Sequence, residues 1–511
     1  MQSEGRMWQR DDDSGPAGAA VAGRDRPAPA FDMRPVAHVI GLLLVVLGGT
    51  MILPLATDLI DGTGHWQAFL ESGLITMVVG GLTALATANS PRDDLSIQQI
   101  FLMTTSVWVV LPVFAAIPFV FGATEAGFTD AFFESMSGLT TTGSTVFTGL
   151  ENLPRGMLLW RSMLQWFGGV GIVVTGMVFL PELRVGGMQI FRIESFDTQG
   201  KILPRAAQIA ARISVVYLVI TLACFLAYLL VGMDGFQALN HALTTVSTGG
   251  FSTSDASFGA FQGAPEYVAA VFMIIASLPF VRLVQLMAGH HLPLLRDSQV
   301  RAFMQLTVLL VVMITLYRLL AFGDPFEPAL REAVFNIASI LTGTGYASVD
   351  YQLWGSFVVM LFFLMGLVGG CAGSTCCSVK IFRYQLLIAS IRTQIRRIHS
   401  PHGVFVPRYQ GQPVGPDVLS SVMAFFLVFI VTLGVLSVLL GMTGLDFVTS
   451  VSGAATAVAN IGPGLGEIIG PAGNFAPLND TAKWLLCAGM LMGRLEMLTV
   501  FALMSPLFWR N

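Results

Sequence analysis

The sequence predicts an all-α polytopic membrane protein of about ten transmembrane helices, with four re-entrant half-helices in pseudo-fourfold helix, half-helix, helix repeats. Three observations carry that expectation. Of 511 residues, 54% are hydrophobic and 11% charged, against roughly a quarter charged in soluble chains. Apolar stretches long enough to cross about 30 Å of hydrocarbon recur along the whole chain. A fifteen-residue segment returns four times without gaps.

In order, residues 1–33 are rich in Gly, Ala, Pro, Asp and Arg with no apolar period and read as a disordered leader. They lack the short apolar region and small-residue cleavage site of a signal peptide, and Met33 is an alternative start to Met1. Apolar stretches follow near 36–57, 68–89, 98–122, 157–181, 208–232, 267–290, 302–322, 355–370, 418–441 and 482–506. Backbone in lipid must satisfy its own hydrogen bonds, so spans of this length are expected as helices and not as a barrel. The expected division is a leader at 1–33, an extra helix pair at 34–92, and repeats at 93–186, 187–296, 297–400 and 401–511.

Segments 182–212, 282–301 and 380–408 hold fourteen Lys or Arg against four acids, which places them and both termini in the cytoplasm. Segments 122–156, 233–266, 323–354 and 442–480 hold fourteen acids, with Arg155 and Arg331 their only Lys or Arg. That outer negative field concentrates cations, or it is simply where acids collect when the orientation rule excludes Lys and Arg. The net charge of −4 excludes the basic footprint of a nucleic-acid binder. The five cysteines show neither zinc spacing nor a disulfide framework.

The repeat lies in the outer segments. DAFFESMSGLTTTGS (130–144), QALNHALTTVSTGGF (237–251), EAVFNIASILTGTGY (332–346) and TSVSGAATAVANIGP (449–463) bring Gly143, Gly250, Gly345 and Gly462 into one register. A short helix that stops inside the membrane leaves carbonyls unsatisfied, and such backbone persists only around a wet or protein-walled cavity. Four such loops are expected to line a pore, with carbonyls of the two residues before each glycine facing a dehydrated cation. Glycine permits the dihedrals that turn them inward. Close helix packing explains one such glycine better than a pore does; four in register reverse that and favour the pore.

With these residues in view, the chain resembles the Trk-type potassium uptake proteins of the Trk/Ktr/HKT superfamily, in the TrkH and TrkG branch. The likeness rests on TTTGST (140–145), STGGFST (247–253), TGTGYAS (342–348), ANIGPGLG (459–466), GGCAGST (369–375) and Gly493-Arg494-Leu495-Glu496. It implies potassium uptake across a bacterial inner membrane through one selectivity filter. Its ion-binding residues would be Thr141, Thr142, Gly143, Thr248, Gly249, Gly250, Gly343, Thr344, Gly345, Asn460, Ile461 and Gly462. It further implies a homodimer, a TrkA-like cytosolic subunit that carries any regulatory nucleotide, no cofactor in this chain, and potassium as the transported ion. The fourth loop, with Asn460 and Pro463, is the least symmetric, and one glycine per loop leaves room for moderate discrimination against sodium.

The resemblance also assigns a gate: Gly369, Gly370, Cys371, Ala372, Gly373, Ser374 and Thr375, a glycine-rich break in a helix, followed by Cys376 and Cys377. A glycine packing surface is the alternative. Arg494 lies eleven residues beyond Lys483, about 17 Å along a helix. A mid-membrane arginine marks an ion path or a paired site, and it is expected beside the gate as a barrier to cations, with Glu496 paired elsewhere. Glu134, His241, Asn336 and Gly453 share one repeat position, and the three polar ones are expected to bond neighbouring segments. Arg392, Arg396 and Arg397 offer a docking surface for an acidic cytosolic partner or for anionic membrane lipid.

No Ser/His/Asp set, HExxH or phosphate loop points to an enzyme. The leading reading is potassium uptake; the alternative is a sodium-permeant or sodium- or proton-coupled monovalent cation transporter. Inverted-repeat transporters for small solutes fit less well, because all four loops enter from one side.

Overall fold

The computed structural model describes residues 31–89, 95–178, 188, 202–506, 508 and 509. The expected leader, apart from residues 31–33, and residues 182–201 of the segment expected in the cytoplasm, apart from Met188, lie outside the described residues. The chain divides into Met1–Met33 and Arg34–Asn511; all that follows concerns the second unit.

Helices α1 (Arg34–Thr50) and α2 (Ile52–Ile60) make one long span and α3 (Trp66–Ala86) the next. Glycines let α1 and α3 touch backbone to backbone: a Cβ on Gly41 would lie 2.8 Å from the Gly80 carbonyl oxygen, and one on Gly80 2.7 Å from that of Gly41. Helix α4 (Ile97–Ala115) starts in a reciprocal cap, Ser96 accepting from the Gln99 N–H and Gln99 from the Ser96 N–H. It continues through α5 (Ile117–Phe121) to the first half-helix, α6 (Phe128–Leu139), and to α7 (Arg155–Val178).

The same order recurs. A second set comprises α8 (Ile202–Leu230), the half-helix α9 (Gly235–Val246), α10 (Ala264–Ala276) and α11 (Phe280–Met287). The short α12 (Leu292–Arg296) leads to a third set: α13 (Ser298–Ala321), the half-helix α14 (Phe326–Leu341) and α15 (Ser356–Gly366). Helix α16 (Ile381–His399) and a two-residue hairpin, β1 (Arg408–Tyr409) and β2 (Gln412–Pro413), connect to the fourth. That set holds α17 (Pro416–Met442), the half-helix α18 (Phe447–Ala459), the short α19 (Gly466–Ile469), α20 (Asp480–Arg494) and α21 (Leu498–Met504).

Of the ten expected spans, seven are continuous helices long and apolar enough to cross a membrane among the described residues. The other three are interrupted. The stretch 267–290 bends by 100° between α10 and α11, where Pro279 supplies no N–H to continue the helix. The stretch 482–506 bends by 110° between α20 and α21, where Glu496 takes a φ of 57°. The stretch 355–370 yields only the eleven residues of α15 before Gly369, at φ 77°, turns the chain aside. Averaged hydropathy does not register these breaks: the first and third of the stretches stay apolar on both sides of the bend, and even Arg494 and Glu496 at the second are outweighed by the apolar residues around them.

Outward faces carry exposed Val46, Leu82, Leu222, Val308, Leu427 and Ile430, the pattern of helices solvated by lipid, while one apolar core unites all four sets. Asp58 of α2 is fully buried and accepts from the Gly156 N–H at 2.7 Å, satisfying one of the free donors at the start of α7. Asp58→Ala should therefore cost about 0.5–2 kcal/mol, the usual worth of a helix cap. Thermal unfolding in detergent checks this; an unchanged midpoint would remove the role.

Candidate functional site

Each half-helix ends in the same hydrogen-bonded turn. Thr142, Gly249, Thr344 and Ile461 donate their N–H groups to Ser137, Thr244, Ser339 and Thr456 at 2.8, 2.9, 2.8 and 3.1 Å, which caps otherwise free helical carbonyls. The residue before each donor is left-handed: φ is 53° at Thr141, 52° at Thr248, 75° at Gly343 and 53° at Asn460. For a β-branched residue this costs roughly 1–2 kcal/mol, so at Thr141 and Thr248 the fold imposes a conformation that the residue type disfavours, while Gly343 and Asn460 are types that accept it.

The register glycines then close a ring. A Cβ on Gly143 would run into the carbonyl oxygen of Gly249, on Gly250 into that of Thr344, and on Gly345 into that of Ile461; on Gly462 it would lie 3.0 Å from that of Thr142. Each loop thus abuts the next in chain order, and the fourth returns to the first. Ser144 donates to the Gly462 carbonyl at 2.7 Å, and the Asn460 amide donates to the Thr142 hydroxyl at 2.9 Å and to the Met490 carbonyl at 3.0 Å. Above the ring lies a cavity of about 240 Å³ whose lining includes all four glycines.

The returning strand of each loop is braced from its own half-helix. Glu134 accepts from the Val146 N–H and the Thr145 hydroxyl, Asn336 bonds the Ser348 N–H and hydroxyl, and His241 bonds the Ser252 hydroxyl. In the fourth repeat Gly453 has no side chain, and neighbouring Ser452 accepts from the Leu465 N–H at 2.9 Å instead. Glu134 also pairs with Arg161 at 2.8 Å, both buried, and Arg161 donates to the Ser252 carbonyl of the second loop. At the outer mouth the first two loops clasp each other. Glu151 accepts from the Ser254 hydroxyl and the Asp255 N–H, and Asp255 from the Gly149 and Leu150 N–H groups. The Ser254 hydrogen bond holds the Glu151 carboxyl below its ordinary range.

Beneath the ring, residues 367–380 form a buried loop between α15 and α16. Thr375 meets the ring directly, its hydroxyl accepting from Thr248 at 3.1 Å and donating to the Ala276 carbonyl. Gly369, Gly370 and Cys371 lie to the side: the Cys371 N–H bonds the Ser277 carbonyl, and a Cβ on Gly370 would meet Cys376 and Ser277. Ala372 donates its N–H to Gln299, Gly373 accepts from the Phe280 N–H, and Ser374 donates to the Cys371 carbonyl. Arg494 is buried against this loop, donating to the Cys377 sulfur at 2.6 Å, the Thr375 carbonyl at 3.4 Å and the Gly168 carbonyl at 2.9 Å. Among the described residues no carboxylate pairs with Arg494. Glu496 instead pairs with Lys380 at 3.4 Å and with Arg383. Cys376 bonds Ser277, and all five cysteines are unbridged.

Sequence reasoning passed over Arg161 and Gln165. Gln165 donates to the Gly249 carbonyl at 2.6 Å and accepts from the Phe251 N–H at 3.0 Å. The available signal was two polar residues four apart in an apolar helix, hence on one face.

Four re-entrant loops meeting in a ring inside an apolar helical protein define a multi-pass membrane transport protein, not an enzyme. Residues 65–509 match the TrkH family of cation transport proteins, and the chain belongs to that family. It is 45% identical to the Trk system potassium uptake protein TrkI of Halomonas elongata over 479 residues, covering 93% of this chain and 97% of that one. It is 36% identical to TrkH of Escherichia coli over 490 residues, covering 94% and 99%. The crystal structure of the potassium transporter TrkH from Vibrio parahaemolyticus superposes with a TM-score of 0.86 at 33% identity, covering 94% of this chain and all of that one.

Breaking the buried pair of Glu134 and Arg161 leaves a charge stranded, which typically costs about 3–5 kcal/mol. Glu134→Ala should thus unfold far below the parent in detergent, whereas Glu134→Gln with Arg161→Met should recover part of the loss. Equal midpoints for parent and Glu134→Ala would refute this.

Proposed function

We propose that the chain is a potassium uptake pore of a bacterial inner membrane, with both termini cytoplasmic, built as a leader, an extra helix pair and four repeats. The observation that carries this reading is the closed ring in which Gly143, Gly250, Gly345 and Gly462 each abut the carbonyl one residue before the next glycine. Carbonyls of Thr141, Thr142, Thr248, Gly249, Gly343, Thr344, Asn460 and Ile461 replace the water shell of the ion. The half-helix C-termini add partial negative charge beneath it, and the acids of the outer segments concentrate cations above. The relatives are potassium uptake proteins by name.

Thr375 and its loop obstruct the path below the ring, and Arg494, uncompensated by a carboxylate, raises a barrier to cations there. Release of the loop opens the pore. The exposed Arg392, Arg396 and Arg397 of α16 dock an acidic, nucleotide-binding cytosolic subunit, and two copies of the chain pair in the membrane.

Growth of a potassium-uptake-deficient bacterium at limiting potassium is the direct test: the chain should rescue it. Gly345 sits at φ 84°. There a side chain adds roughly 1–2 kcal/mol of strain, so Gly345→Ser should lower the preference for Rb⁺ over Na⁺ about tenfold or abolish rescue. Failure of the parent to rescue, or an unaffected variant, overturns the pore reading. Arg494→Ala should raise the uptake rate and blunt regulation; unchanged flux and regulation would remove Arg494 from the gate.

A further inference from the structure

The four loops are not braced alike. In the first, the Thr142 hydroxyl bonds that of Thr140 at 2.7 Å, and in the third the Thr344 hydroxyl bonds that of Thr342 at 2.7 Å. Both loops therefore tie the residue before the ring glycine to the end of their own half-helix. The second loop has Gly249 at this position and no hydroxyl to offer. The space is taken by Gln165 of α7: a Cβ on Gly249 would collide with the Gln165 amide.

That amide is fully buried and spans the ring glycine Gly250, giving a hydrogen to the Gly249 carbonyl on one side and taking one from the Phe251 N–H on the other. Among the described residues, Gly249 is the one of the eight candidate ion-facing residues whose carbonyl accepts from a side chain. A carbonyl oxygen has two lone pairs, so this bond leaves one for an ion.

From this arrangement we infer that Gln165 is a positioning residue that sets ion discrimination, a proposal that rests on the pore reading above. A carbonyl pinned from behind cannot move inward to enclose a smaller ion, so the second loop holds the ring at the width a larger, more weakly hydrated cation needs. The same bond draws electron density from that carbonyl and lowers its field on the ion. Without Gln165 the second loop follows a small cation inward, and sodium competes better. Glycine at 249 is the counterpart of glutamine at 165: the brace comes from a neighbouring helix only where the loop's own side chain is missing.

The test is Rb⁺ uptake into proteoliposomes with Na⁺ as competitor, using the full chain. Gln165→Leu keeps the volume and removes both bonds; its Rb⁺ over Na⁺ preference should fall about tenfold, the worth of roughly one buried hydrogen bond. Gly249→Thr alone should collide with Gln165 and abolish uptake. Gln165→Ala with Gly249→Thr gives the second loop the hydroxyl that the first and third possess, and should restore uptake and most of the preference. This double variant keeps the question answerable if Gln165→Leu does not fold. A parent-like ion preference in Gln165→Leu, or a double variant no better than Gly249→Thr, overturns the assignment while leaving the pore intact. A parent chain that admits neither ion removes the pore reading and this assignment with it.

Discussion

The structure depends on one constraint: a backbone carbonyl inside a membrane must have a partner. A half-helix that stops midway breaks that rule for its last turn. Here the left-handed turn after α6, α9, α14 and α18 returns an N–H to each exposed end. Among the described residues, the carbonyls of the two residues before each ring glycine are left without protein donors, apart from the Gly249 carbonyl that Gln165 binds. Unsatisfied acceptors gathered at one level are costly in the apoprotein and favourable once a cation sits among them.

Charges inside the protein follow the same logic. Arg161 is spent on Glu134 and on the second loop's Ser252 carbonyl, so it fastens two repeats together and contributes little net field. Lys380 and Arg383 share the one carboxylate of Glu496, which fixes where the loop below the ring re-enters helix. Arg494 differs. Its partners are two carbonyls, the Cys377 sulfur and the Trp108 ring, which orient the guanidinium. Among the described residues, a buried arginine with no carboxylate partner is thus bonded to the loop that meets the ring.

Much of this was legible in the sequence because glycine records backbone geometry. Gly143, Gly250, Gly345 and Gly462 stood in register since no other residue fits against the next loop's carbonyl. The left-handed position two residues earlier was not legible, because Thr141 and Thr248 adopt it against their own preference and only Gly343 and Asn460 are types that accept it. Spans were read from hydropathy, which sums side chains and is blind to direction, so the bends after α10 and α20 did not show, whereas the break after α15 was legible in the glycine run that begins the loop below the ring. Arg161 and Gln165 were missed because their partners lie in other segments, and a single chain carries no trace of distance.

The four loops share one backbone path and four different supports: a carboxylate pair in the first, a glutamine from α7 in the second, an asparagine and threonine hydroxyls in the third, and a serine with the Asn460 amide in the fourth. A tetramer of identical chains cannot do this, because any change at one loop appears at all four. Joining the repeats in one polypeptide frees each loop to be stiffened separately while the ring stays closed. It also allows the contacts below the ring to come from one side only. Thr375 engages the second loop through Thr248, and Arg494 reaches Thr375 from α20, so both contacts meet the ring at one quadrant, the one whose carbonyl Gln165 of a neighbouring helix already holds.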